Sequence, residues 1–362
     1  MLNVSATSMA LGVASRTGLL KALGADPLTS SELAAKAEMA PRYVEEILAA
    51  LVCGEIVVLA GDDPLRYSLP AERKAALDGM GLYFEELPLL SQCAFAEVCI
   101  AAKTGSGVDP SCYQTFGSWM GALADAKHGR QLTQKFLPAL ANGAVVEALN
   151  APGAAVMDLG CGTGTAARLI AAAFPTARVV GVDVDSAAIE TARAHTDTAS
   201  LKNLEFIVAD ASTLTATSNT APGASHSSAN MAATFDLVLS FDAIHDLADP
   251  SGAMRSARSL LKPEGLFAMV DIRAATGLRG NLDHSMGAFL YTVSLMHCMP
   301  QGLNCDSRGQ PGAGLGMMWG RDAATQMLSD AGFGSIEVVS LEFDSFNDVY
   351  LARCTGTHND AV

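Results

Sequence analysis

The chain has 362 residues, 50% of them hydrophobic and 17% charged, enough for more than one core and too apolar for a disordered protein. A formal charge of −15 leaves no basic excess to replace phosphate counterions, which disfavours a nucleic-acid coat. Eight scattered cysteines form no CxxC pair, so neither a disulfide framework nor a structural zinc site is expected, and the usage suits a reducing compartment. Residues 1–11 carry no basic leader. The most apolar stretch, 286–300, contains His297 and is only 15 residues long, short of the roughly 20 a membrane span needs. A cytoplasmic protein with no membrane partner is the expectation.

Residues 1–74 read as helices followed by a small hairpin. Thr29-Ser30-Ser31-Glu32 has capping-box spacing, and Pro41 opens a second helix with Val44, Ile47, Leu48 and Leu51 on one face and Gly54 as its stop. Short strands at 56–59 and 65–69 bracket Gly61-Asp62-Asp63-Pro64. Helix, helix, hairpin is the order of a winged helix. Acidic side chains outnumber basic ones nine to seven in this segment, and Glu45 and Glu46 flank the region of Arg42 on the second helix. A major-groove reader needs phosphate clamps and base-edge donors. A packing or dimerisation module, with no nucleic-acid partner, is therefore expected. Met9, Leu11, Val13, Leu19, Leu20 and Leu23 make residues 1–24 strongly apolar, suited to burial in their own domain or in a homodimer.

Residues 75–148 read as a helical linker and substrate-pocket wall, with Phe116, Trp119, Met120 and Leu123 at helical spacing. Trp119 is a candidate substrate contact, and an ordinary buried helix face is the plainer reading. From residue 149 onward short apolar strands at 155–159, 179–183, 205–209, 235–240 and 266–271 alternate with helices. That pattern predicts a parallel sheet covered on both faces, an α/β domain over 149–362. A Ser/Thr/Ala/Asn-rich stretch at 212–234, containing His226, reads as a long surface loop.

The first of these strands runs into Asp158-Leu159-Gly160-Cys161-Gly162-Thr163-Gly164-Thr165. Glycines at alternate positions remove side chains where backbone must turn and approach a ligand. Asp183, at the end of the next strand, follows Asp158 by 25 residues, a spacing at which a carboxylate can grip ribose hydroxyls. A nicotinamide dinucleotide fits less well, because its fingerprint wants a third glycine where Thr165 stands.

Residues 155–271 resemble a class I S-adenosylmethionine-dependent methyltransferase. The glycine loop matches that family's cofactor loop, Asp183 its ribose-binding acid, and Ala209-Asp210-Ala211 the end of its third strand. The resemblance implies a Rossmann-like seven-stranded sheet whose last strand is antiparallel, completed by 336–343 and 347–354. It implies S-adenosyl-L-methionine as cofactor, bound by Asp158, Gly160, Cys161, Gly162, Gly164, Asp183, Val184, Asp210, Ala211, Ser240 and Phe241, with Val184 packing on the adenine. The wider layout is similar to bacterial small-molecule methyltransferases that carry an N-terminal winged-helix domain, a substrate cap (here 274–319) and frequent dimerisation.

The fourth strand ends in Ser240-Phe241-Asp242-Ala243-Ile244-His245-Asp246. Carboxyl ends of parallel strands are where ligands bind, and His245-Asp246 resembles the His-Asp pair of small-molecule O-methyltransferases. An imidazole titrating near neutrality can accept a hydroxyl proton, so His245 and Asp246 are the catalytic candidates. His245 can instead orient substrate, and Asp246 can cap the following helix. Asp242, His284, Tyr291 and His297 join Trp119 as candidate substrate contacts, each with a plainer structural role as its rival. Asp271 and Arg273 read as an ion pair or turn contact. Cys298 and Cys305 lack zinc-ligand spacing with the two cap histidines, and no metal is expected. An amine or carbon acceptor, methylated by alignment alone, and a non-enzymatic ligand-sensing or DNA-binding regulator are the remaining alternatives.

Overall fold

The computed structural model describes residues 1–129, 131–196, 200–214 and 234–354, and nearly all of the loop expected at 212–234, His226 included, lies outside them. The chain divides into two compact units, Met1–Cys93 and Ala94–Val362. The segment 75–148 that the sequence sets apart is therefore split, its greater part belonging to the second unit.

In the first unit, Thr29 caps the helix Ser30–Lys36. Its hydroxyl accepts from the Glu32 amide at 3.2 Å, and the Glu32 carboxylate accepts from the Thr29 amide at 2.7 Å. The helix Pro41–Cys53 begins on its proline and buries Val44, Leu48 and Leu51 against Leu33, Leu19 and Leu23. Each such leucine contributes roughly 1.5–3 kcal/mol. Strands β1 (Val58–Ala60) and β2 (Arg66–Ser68) then pair antiparallel, with Leu59 opposite Tyr67. This completes a winged helix. Arg42 spends its charge on Glu46 at 2.5 Å on the same exposed helix face.

The second unit is built on a seven-stranded sheet. Its strands are β3 (Ala155–Leu159), β4 (Arg178–Asp183), β5 (Leu204–Val208), β6 (Phe235–Phe241), β7 (Leu261–Ile272), β8 (Ser335–Val339) and β9 (Asn347–Arg353). They lie in the order β5-β4-β3-β6-β7-β9-β8, with β9 antiparallel to both its neighbours. This is the Rossmann-like seven-stranded sheet that the resemblance implies, with its final antiparallel pair present; β8 ends at Val339, short of the expected 343. Strand β7 starts earlier than expected, because Leu261 pairs with Phe235 ahead of an irregularity in register.

Apolar residues serve both faces, as a doubly covered parallel sheet requires. Val156, Leu237, Leu239 and Ala268 enter one core; Met157, Val238, Phe267 and Met269 enter the other. Strand order reverses between β3 and β6, which opens a crevice at their carboxyl ends. The helix Gln114–His128 lies beside this crevice, its Asp125 accepting from the Thr165 hydroxyl at 2.6 Å. The insertion after β7 carries the helix Gly287–Val293, a π-turn Ser294–Cys298 and the short helix Met299–Gly302. Among the described residues no helix is long and apolar enough to cross a membrane.

Candidate active site

The loop after β3 turns on left-handed glycines. Gly162 has φ +52° and open space where a Cβ would stand, so backbone lines the cradle. Gly164, at φ +78°, starts the helix Thr165–Ala173 and admits no side chain, because a Cβ would meet the Phe206 ring. Asp183, at the end of β4, accepts from the Gly162 amide through Oδ2 at 2.8 Å and from the Asp185 amide through Oδ1 at 2.9 Å. Each oxygen keeps a second lone pair for a ligand hydroxyl. Asp158 is 2% exposed, and its Oδ2 is buried with no hydrogen-bond partner among the described residues. Burial pushes its carboxyl up to about 7 against the pull of the Ala167 amide, and the Asp183 charge adds to the rise. A cationic or hydrogen-donating ligand group would answer that unmet carboxylate.

The other cofactor candidates surround this loop in different states. Cys161 is half-buried, and burial raises its thiol. Val184 stands exposed after β4. Asp210 accepts from the Ser212 amide at 2.8 Å and starts a single 3-10 turn that buries Ala211. Gly160 adjoins Ala243 at the end of β6. Ser240 is buried there with an unpartnered hydroxyl among the described residues, and Phe241 packs on His128 and Phe136, with ring centroids 4.5 and 5.4 Å away. Burial first, then the Lys127 charge, lowers His128 to about 4.

Beyond β6 the backbone makes a strained turn at Asp242, φ +49°, which a non-glycine residue seldom adopts. The carboxylate is held by Lys127 at 2.8 Å and by the Asn347 amide. Burial pushes this carboxyl up, but Lys127, joined by the charges of His245 and His128, holds the group below the usual range. Lys127 comes from 115 positions away. No local motif announces it.

His245 follows on a short turn and is 1% exposed. Its Nδ1 lies 2.8 Å from Asp271 Oδ1 at the end of β7, and its Nε2 lies 3.4 Å from Asp246 Oδ1. Asp271 Oδ1 also accepts from the Trp319 indole at 3.1 Å and from the Ile272 amide at 2.8 Å. Burial alone would lower the imidazole; Asp271 and Asp246 together raise it well above the ordinary histidine value. Asp271 thus forms an ion pair, as its position suggested, but with His245, whose ring it orients, and the adjacent β6–β7 pairing is what delivers it. Arg273 does form an ion pair, with Asp348 at 3.0 Å. Nor does Asp246 cap the next helix: Asp249 does, accepting from the Gly252 amide at 2.7 Å.

The insertion brings His297 to the same place, its Nδ1 3.9 Å from Asp246 Oδ2. Tyr113 and Phe116 wall the His297 ring at 4.8 and 4.9 Å, and Trp119 stacks on Phe116. His284 and Tyr291 are engaged elsewhere: His284 bonds the Arg273 carbonyl at 3.0 Å and the Met286 amide at 3.2 Å, and the Tyr291 hydroxyl meets Asn281 at 3.3 Å. Both brace the insertion. The site is thus a glycine-loop half around Asp158 and Asp183, and a His245 half gathering Asp246, Asp271, His297 and Cys298.

Comparison with known proteins agrees with this architecture. Residues 150–318 match the family described as Methyltransferase domain, and residues 5–78 match the Rv2258c-like winged HTH domain. By fold and by domain match the chain is similar to class I methyltransferases of the S-adenosylmethionine-dependent type that carry a winged-helix N-terminus. S-adenosylmethionine is the cofactor of that class. A putative O-methyltransferase from Nostoc punctiforme is similar along 97% of each chain, at 18% identity and a TM-score of 0.64. Human N-acetylserotonin methyltransferase, solved with its methyl donor, is similar over 98% of this chain and 96% of its own, at 16% identity and a TM-score of 0.63. A trans-aconitate 2-methyltransferase of Methylobacterium radiotolerans is 49% identical over 67 residues, 18% of this chain and 24% of that one. The chain thus spans about a quarter or less of the length of the curated relatives it matches. The buried, unmet Asp158 carboxylate and the open backbone at Gly162 fit the ammonium-bearing, close-packed ligand this class takes.

Proposed function

We propose that the protein transfers a methyl group from S-adenosylmethionine to a hydroxyl oxygen of a small molecule, with His245 as general base. The observation that carries this reading is the Asp271–His245–Asp246 line. Asp271 holds Nδ1, so the nitrogen left to accept a proton is Nε2, at the side of Asp246. Asp246 keeps 23% of its side chain exposed and is the member of the pair open to an incoming hydroxyl. It orients the hydroxyl; His245 takes the proton in its neutral form, which the two carboxylates make the minor one near neutrality. Transfer should therefore speed up as pH rises above the ordinary histidine range, and the same carboxylates stabilise the imidazolium that results. The bound sulfonium supplies an electrophilic methyl group and a neutral leaving group. Asp158, Asp183 and the Gly160–Gly164 backbone hold the donor, and aromatic groups from the helix Gln114–His128 and the insertion exclude water.

The deciding experiment is product detection by mass spectrometry across phenols, hydroxyacids, amines and thiols, with wild type beside His245→Gln. The variant should bind the donor as wild type does in calorimetry and lose roughly 10²–10⁴ in transfer rate. Near wild-type turnover on the true acceptor would refute the base assignment and favour an amine or carbon acceptor methylated by alignment.

We also infer a homodimer and no nucleic-acid partner. Leu2, Val4, Met9 and Val13 stand exposed on the helix Leu2–Arg16, with Met1 exposed at its N-cap, apolar surface that a second copy would cover. On the winged helix, Arg42 is neutralised by Glu46. Light scattering at micromolar protein and a low-salt mobility shift with random duplexes test the two statements.

A further inference from the structure

His245, Asp246 and Cys298 bring an imidazole nitrogen, a carboxylate oxygen and a thiol sulfur to one point, with all three ligand atoms within 4.8 Å of one another. His245 and Cys298 are buried, and Asp246 Oδ1 is enclosed without a well-formed hydrogen bond among the described residues. The methyl-transfer reading gives Cys298 no task. We propose that these three side chains form a binding site for a thiophilic divalent cation of the zinc type.

Four features of the cluster support the assignment. First, the ring nitrogen aimed into it is Nε2, while Nδ1 is held by the buried Asp271 carboxylate. A carboxylate on the far nitrogen is the usual outer partner of a metal-binding imidazole, because it fixes the tautomer and raises ligand basicity. Second, the donor set is mixed nitrogen, oxygen and sulfur. A hard cation such as Mg²⁺ would leave the sulfur unused, whereas Zn²⁺ takes all three and keeps a fourth position. His297 Nδ1, 3.7 Å from Cys298 Sγ and 3.9 Å from Asp246 Oδ2, stands beside that position. Third, tetrahedral ligation at about 2.0–2.3 Å separates ligand atoms by roughly 3.3–3.8 Å. The His245–Asp246 pair already stands at 3.4 Å and all three ligand atoms lie within 4.8 Å, so ligation needs a contraction of about 1 Å at most. Fourth, Cys298 arrives on the π-turn Ser294–Cys298, a local widening of the helix that sets Cys298 beside His297. Such turns frequently occur at functional sites.

Binding is balanced in charge. Cys298 and, where it is charged, the Nε2–H of His245 release their protons to solvent; the thiolate with the Asp246 carboxylate then neutralises the dication while His245 ligates as neutral imidazole. An ion here ties the insertion to the end of β6 and occupies the nitrogen assigned as base. The bound form is therefore a closed and catalytically silent one.

Chelator-treated full-length protein titrated with Co²⁺ tests the site without reference to activity. The expected result is saturation at one equivalent, with a sulfur-to-cobalt charge-transfer band and the intense visible bands of tetrahedral cobalt, all displaced by Zn²⁺. Cys298→Ser should abolish the charge-transfer band, and Cys305→Ser, at an exposed cysteine, should leave it intact. Asp246→Asn serves as a second ligand variant and should weaken binding at least tenfold; Asp271→Asn should weaken it roughly 10–100-fold through His245. Absence of the bands in wild type, or equal bands in wild type and Cys298→Ser, overturns the proposal. If the bands appear and Zn²⁺ leaves methyl transfer untouched, the metal site stands and the base assignment of His245 falls.

Discussion

The loop after β3 and the loop after β6 lie at the same edge of one sheet, yet they are made in opposite ways. Around Gly160–Gly164 nearly every working group comes from two consecutive strand ends: Asp158, the glycines, then Asp183. Around His245 the working groups come from four separate places: Asp246 beside it, Asp271 from β7, His297 and Cys298 from the π-turn of the insertion, and Trp319 from the insertion's far end. The first loop is shaped by backbone conformation, which a short motif encodes. The second is shaped by buried charge. Its members tolerate low dielectric only because each has a partner.

That contrast makes unequal predictions, and the largest concerns the buried charge. Asp271→Ala should destabilise the second unit by about 3–5 kcal/mol, because it strands His245 and the Trp319 indole. Chemical denaturation measures this, and a cost below about 1 kcal/mol would show that the cluster is not held by Asp271.

Next in size is an acid limb from His128, which packs on Phe241 beside the glycine-loop half. Its folded value of about 4 lies below the ordinary 6.5, so between those values the unfolded chain binds the extra proton. Stability should fall as pH drops through that window, by up to about 3 kcal/mol. In His128→Gln this part of the loss should vanish, and an unchanged pH profile would contradict the burial argument.

Asp183→Ala should weaken donor binding by roughly 1.5–3 kcal/mol in calorimetry, since it removes a charged acceptor and also the anchor of the Gly162 amide. The same change should leave the His245 half intact, readable as unaltered Co²⁺ binding. Thr29→Ala should cost about 1 kcal/mol and act on the first unit alone, the scale of a purely local cap. A larger loss at Thr29 than at Asp271 would invert the comparison between local and assembled elements.

What could be read in advance follows the same division. The strand at 155–159, the start of the next helix at Thr165 and the capping box at Thr29 are consequences of local periodicity and of residues that suit one backbone conformation, whereas the closing pair β8–β9 was implied by the family resemblance. The adjacent pair His245-Asp246 was also visible, but its meaning was not. The family resemblance suggested a His-Asp pair, with helix capping as the rival role of Asp246, whereas β6–β7 pairing sets Asp271 against the other ring nitrogen. Lys127 was missed because nothing near it in sequence asks for a lysine; only the positive-φ turn at Asp242, closed by Asn347, gives it a counter-charge. His284 and Tyr291 looked like pocket residues by type, and the backbone groups and Asn281 that they meet came from the folded insertion.

The sequence by itself therefore determined the order of strands and helices, the glycine loop with its two carboxylates, and the winged-helix module, because each depends on neighbours a few residues away. Only the tertiary structure decided which nitrogen of His245 is held, what neutralises Asp242, and that Cys298 stands with His245 and Asp246. Those depend on charges and donors brought together from distant segments. Burial makes an unpaired charge too costly to leave, so partners are chosen by the packing of strands and insertion rather than by any local pattern.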